Sequence, residues 1–189
     1  ESQAEAMREA NQIWARYGVN VRASRTSDVV SPSAIRLPVR FIDRQAQAWA
    51  SEALGSITFV GQTPEPAIEM YPNAIAALAS TVEFLGRRPD AWPVAFRDRV
   101  LGRVLGRALA HEIGHFLLRT THHSRSGLMR ALQPARDLAG SDRRTFVLSA
   151  AEEARLASSA RSYVRSSAAS VSLVRAADQQ IECDSADGL

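Results

Sequence analysis

The chain has 189 residues, 46% of them hydrophobic and 23% charged, a balance that fits one globular core and excludes a disordered chain. No apolar run reaches the ~18 residues a membrane-spanning helix needs, and a single cysteine, Cys183, excludes an internal disulfide and a cysteine-built zinc knuckle. The net charge is +3, all 23 basic residues are scattered arginines, and aromatics are 6% of the chain, which argues against a nucleic-acid module.

Ala4, Met7, Ala10, Ile13, Trp14 and Tyr17 recur at spacings of three and four, the period of an amphipathic helix, which Gly18 ends. Val19, Val21 and Ala23 alternate with polar residues and predict a strand; Ile35 to Ile42 is a second. Asp43 is placed to cap a short helix over Arg44 to Leu54, stopped at Gly55. Ile57 to Val60 and Ala67 to Tyr71 read as two more strands around the turn signal Gly61-Gln62-Thr63-Pro64. Asn73 opens a helix expected to run to about Leu85, and residues 86–93 break the pattern.

The longest helical pattern spans Ala95 to about Leu118. Val100, Leu101, Val104, Leu105 and Ala108 form an apolar stripe, and Arg99, Arg103 and Arg107 recur every fourth residue as the expected solvated face. Gly102 and Gly106, also four apart, are read either as a place where another backbone packs closely or as two tolerated glycines. A polar region to Gly140 follows, then a last helix over Ala150 to Tyr163 with glutamates near its start. The end of the chain, 166–189, reads as a flexible tail.

All four histidines, His111, His115, His122 and His123, fall within 13 consecutive residues. His111 and His115 belong to the string HEIGH, and a helix puts them on one face, about 6 Å apart along the axis. Two imidazoles so placed can share one Zn²⁺, while Glu112, rotated by ~100°, suits the metal-bound water as general base. The reaction implied is hydrolysis of an amide. A further histidine can supply the third ligand once the chain turns back. His122 and His123 are both candidates.

The segment HEIGHFLLRTTHHSRSGLM resembles the active-site segment of metzincin-type zinc peptidases, in which an HExxH helix ends in a turn, a third histidine follows and a methionine turn floors the site. The resemblance implies one catalytic zinc on His111 and His115, Glu112 as base and Met129 in the methionine turn. It also implies an α/β (α+β, zincin/metzincin-like) fold: a mixed twisted sheet with an N-terminal helix, a long active-site helix and a C-terminal helix, with residues 1–165 as one catalytic domain. The family's extended motif has glycine and the third histidine seven and ten residues after the first ligand, where this chain has Leu118 and Thr121. Short bacterial metzincin-like proteins are similar in having the longer spacing, which selects His123 over His122 and makes Arg119 the turn residue.

The tyrosine that some metzincins carry two residues after the methionine is Ala131 here, which leaves Arg130 and Arg119 as cations near the site. In metzincins an exposed sheet edge pairs with the peptide, and Ala67 to Tyr71 is the expected edge. The expected protein is a zinc metalloendopeptidase acting on peptide or protein substrates, with no nucleic-acid partner. Its expected setting is that of an exported, periplasmic or extracellular, bacterial protein. Two other readings remain: a thermolysin-like enzyme with Glu152 or Glu153 as third ligand, and a non-catalytic arginine-rich binding protein with a structural metal site.

Overall fold

The computed structural model describes residues 1–25, 27–29, 34–43, 53–163 and 170–175. In chain order the elements are α1 (Ser2–Ala15), β1 (Asn20–Ser24), β2 (Ala34–Phe41), β3 (Gly55–Val60), β4 (Thr63–Met70), α2 (Pro72–Ser80), a 3₁₀ turn (Pro89–Ala91), α3 (Val94–Leu118), α4 (Ala135–Ala139), α5 (Ala150–Tyr163) and β5 (Ser170–Arg175). The architecture is a mixed α+β fold. Among the described residues no helix is long and apolar enough to cross a membrane.

The sheet has five strands in the order β1-β5-β2-β4-β3. The first four run parallel, and β3 pairs antiparallel with β4 at the edge. Its period-two alternation buries Val21, Leu37, Val39, Ile68 and Leu173 in the same core as α1 and α3. β4 pairs with β2 over Ile68–Met70 only, while Pro64 and Pro66 lie in its other half, where a missing N–H costs no bond to that neighbour.

Three expectations change. Residues 170–175 of the expected tail form β5, seated between β1 and β2 by parallel pairing on both sides. The expected edge, Ala67 to Tyr71, lies mostly in β4, which is internal; β3 holds the edge because the turn is only Gly61-Gln62 and the hairpin folds it outward. The helix from Asn73 starts at Pro72 and stops at Ser80, and Asn73 does not cap it but donates from its amide to Asp43. Leu85 and Gly86 then form a tight reversal with φ of 52° and 71°, bridged by Phe84 and Arg87. The helix expected over Arg44 to Leu54 lies outside the described residues except for Ala53 and Leu54, which are not helical.

α3, 25 residues long, packs along α1. A Cβ on Gly102 would lie 2.5 Å from the Glu5 Cβ, and one on Gly106 would lie 2.5 Å from the Ala6 carbonyl oxygen. The glycines therefore mark the line on which the two helices touch. The expectation that Arg99, Arg103 and Arg107 form a solvated face fails for Arg107, because α1 presents Glu5 and Glu9 at matching four-residue spacing. Arg107 is 1% exposed and donates from Nε to Glu9 at 2.8 Å; Arg103 is mostly buried, near Glu5. Arg99 alone of the three is exposed.

Candidate metal centre

The C-terminal half of α3 carries HEIGH into the core: Glu112, Ile113, Gly114 and His115 are buried, and His111 is half-buried. The helix ends at Leu118 because Arg119 adopts the left-handed conformation, φ 49° and ψ 52°. For a residue with a Cβ that conformation costs about 1–2 kcal/mol. It turns the chain so that the Thr120 N–H reaches the His115 carbonyl at 3.2 Å while the Thr120 carbonyl accepts from His115 Nδ1 at 2.7 Å. The loop beyond brings His123 back over the helix.

Nε2 of His115 lies 3.0 Å from Nε2 of His111 and 3.2 Å from Nε2 of His123. The His111 and His123 rings are nearly parallel, with 13° between their planes, and His115 stands edge-on to both. The outer nitrogens decide what those short separations mean. His111 Nδ1–H donates to the Leu128 carbonyl at 2.8 Å, and His115 Nδ1–H donates to Thr120. Both neutral rings therefore carry their lone pairs on Nε2, and these face each other with no proton between them. Lone pairs so close repel unless a cation lies among them. Four tetrahedral ligands at 2.0–2.1 Å from Zn²⁺ stand ~3.3 Å apart, close to the two His115 separations, and the three ligand atoms all lie within 4.8 Å of one another, a set of donors that can hold a metal ion.

Burial holds the imidazoles neutral. Desolvation first, and the neighbouring His115 second, bring His111 down to about 4. His115 and His123 are also lowered, mainly by burial. Neutral imidazole is the form that ligates a metal. Glu112 lies beside the triad, and burial raises its carboxyl to about 8; a bound cation opposes that shift. β3 makes room for this side chain, since a Cβ on Gly55 would come within 3.2 Å of Glu112 Cγ and 2.9 Å of Glu69 O.

Below the histidines the chain runs through Ser126-Gly127-Leu128-Met129-Arg130. Gly127 has φ 82°, and a Cβ there would collide with the Val147 carbonyl, so the turn requires glycine. Leu128 N donates to Val147 O and Ser124 N to Met129 O, each at 2.8 Å. Met129 is fully buried, with its sulfur against Gly114 inside HEIGH. One turn thus supports the site twice, by packing under the helix and by orienting His111 through Leu128.

His122 is exposed and lies outside the triad; its N–H bonds to Thr120 Oγ1 at 3.1 Å. Glu152 is engaged elsewhere. It accepts the Ser149 N–H at 2.7 Å while Ser149 Oγ accepts the Glu152 N–H at 3.3 Å, a capping box that starts α5, and its other oxygen accepts from Ser124 next to His123. Glu153 is exposed. Of the two arginines near the site, Arg130 lines the cavity beside the triad and Arg119 is exposed outside it. Nothing in the sequence pointed to a role at the site for Gly55, which reads only as a helix stop, or for Leu128, Thr120 and Ser124. Three act through the backbone or by lacking a side chain, and residue type does not report that; Ser124, next to His123, was open to proposal.

The chain matches no known family model, no curated protein and no solved structure.

Proposed function

We propose that the protein is a zinc-dependent endopeptidase with a zincin, metzincin-like catalytic arrangement. The observation that carries this reading is the convergence of three imidazole Nε2 atoms, two of them held in the ligating tautomer, beside a buried carboxylate that is not part of the triad. His111, His115 and His123 would hold the ion, which would supply Lewis-acid polarisation of water and of the scissile carbonyl. Glu112 takes the proton of the attacking water on its carboxylate and passes it to the leaving amine. Met129 and Leu128 keep the ligating helix and the His111 ring in place. An extended peptide adds to β3, the edge strand among the described residues, whose Ser56, Ile57 and Phe59 line the same cavity as the histidines.

The test is metal content and cleavage of an unstructured protein by wild type and Glu112→Ala. Stoichiometric zinc in both, with turnover reduced ~10² to 10⁴-fold in the variant, is expected. Undiminished turnover by Glu112→Ala contradicts the proposal.

A further inference from the structure

The three imidazoles are not held alike. His111 and His115 each donate from Nδ1 to a backbone carbonyl, Leu128 at 2.8 Å and Thr120 at 2.7 Å, and the first ring is half-buried and the second buried. His123 is exposed, and among the described residues its Nδ1 meets no carbonyl or carboxylate. A bond at the outer nitrogen is the ordinary means of orienting a ligating imidazole. The placing of the His123 ring therefore falls to the backbone that carries it.

The next residue, Ser124, is pinned from two sides. Its N–H donates to the Met129 carbonyl at 2.8 Å and its backbone pairs with Arg130, which ties it to the turn beneath α3. Its Oγ donates to Oε1 of Glu152 in the first turn of α5. Oε2 of Glu152, a half-buried residue, accepts the Ser149 N–H at 2.7 Å, so one carboxylate joins the His123 loop to the start of α5. That start is fixed to the core in turn: the Leu148 N–H donates to the Tyr17 hydroxyl at 2.7 Å, and Leu148 and Leu156 are buried. A hydrogen bond to a carboxylate is stronger than one between neutral groups, which suits it to restraining an exposed loop.

We propose that Glu152 is a positioning residue for the third ligand: by holding Ser124 it fixes the loop that brings His123 to the other two histidines. Leu128 and Thr120 do the same for His111 and His115 directly on the rings. The inference rests on the zinc site of the reading above and adds to it a residue from another helix. Glu152 acts on the site through Ser124 and not as a ligand, its two oxygens being engaged with Ser124 and Ser149.

Zinc affinity of the full chain, measured by competition with a chelator, is set beside urea unfolding of the metal-free protein. Wild type is expected to bind one zinc. Ser124→Ala and Glu152→Ala are each expected to bind it about 10- to 100-fold more weakly, the range for groups that orient a ligand. Ser124→Ala/Glu152→Ala is expected to bind no more weakly than the weaker single variant, since both changes break one link. Glu152→Gln, whose amide can still bond both serines, is expected to stay within about 3-fold of wild type. Ser149→Ala removes the hydroxyl that caps the Glu152 N–H and leaves Glu152 to hold Ser124. It is expected to lower the unfolding midpoint while zinc affinity stays within about 3-fold.

Unchanged affinity in Ser124→Ala and Glu152→Ala overturns the proposal. So does an equal loss in Ser149→Ala, which would make helix stability the cause, and so do single losses that add in the double variant or a loss in Glu152→Gln as large as in Glu152→Ala. Ser124→Ala leaves the bonds between Ser149 and Glu152 in place and decides should Glu152→Ala not fold. No zinc in wild type overturns both this assignment and the peptidase reading, whereas zinc bound as described without cleavage of any peptide overturns the peptidase reading alone.

Discussion

Arg119 occupies a conformation that a glycine would take without strain, and the site is built on the consequence. The reversal puts both backbone groups of Thr120 against His115, so the residue that ends the helix also sets the orientation of the His115 ring. It also separates the two adjacent histidines, His123 joining the triad and His122 lying outside it. His123→Ala is therefore expected to lose zinc affinity by 100-fold or more and to lose activity, while His122→Ala retains both within several-fold. Titration with a competing chelator measures this, and the opposite ranking would transfer the third ligand to His122.

Glu112 gives a second prediction at this scale, made for the chelated protein. Its carboxyl has an ordinary value of 4.5 and is raised to about 8 in the fold, by burial. Below pH 4.5 it is protonated in both folded and unfolded chains and contributes no difference. As pH rises from there to 8, the unfolded chain releases its proton while the folded chain keeps it, so stability falls across that window. Glu112→Gln cannot ionise. Its advantage over wild type in urea unfolding is expected to be small at pH 4 and to grow up to pH 8; a gap independent of pH would show that the carboxylate is not buried as described.

Among the elements, α1 and α3 form the frame that carries the site. Their glycine contact leaves no space for a methyl group: a Cβ at position 106 meets the Ala6 carbonyl and lies 2.8 Å from the Glu9 Cβ. Gly106→Ala is expected to cost about 1–3 kcal/mol, read as a lower midpoint in thermal or urea unfolding, because the two helices must separate. A change within 0.5 kcal/mol would mean that the contact yields freely. The helix itself was legible: the period of its apolar residues places it within one residue of Val94–Leu118. The role of its arginines was not, since the spacing of Arg103 and Arg107 becomes informative only beside Glu5 and Glu9 on another helix.

In the whole molecule, the parts that depend on local pattern were legible and those that depend on pairing were not. β1 and β2 follow from alternation, and α5 coincides with the expected Ala150–Tyr163. The edge strand and β5 are set by which strands find each other, and β5 lies in a stretch of serine and alanine with a short apolar pattern at Val171, Leu173 and Val174. Candidate ligands stood out because imidazoles at four-residue spacing follow from helix geometry alone, whereas the Leu128 and Thr120 carbonyls that orient them depend on the loop.

X-ray absorption of the zinc-loaded full chain bears on the proposal that His111, His115 and His123 form one zinc site. One zinc per chain with three imidazole nitrogens at about 2.0–2.1 Å and one further oxygen is expected, with a change in that shell in His123→Ala. Failure to bind stoichiometric zinc, or a shell with fewer than three imidazoles in the wild type, would contradict it.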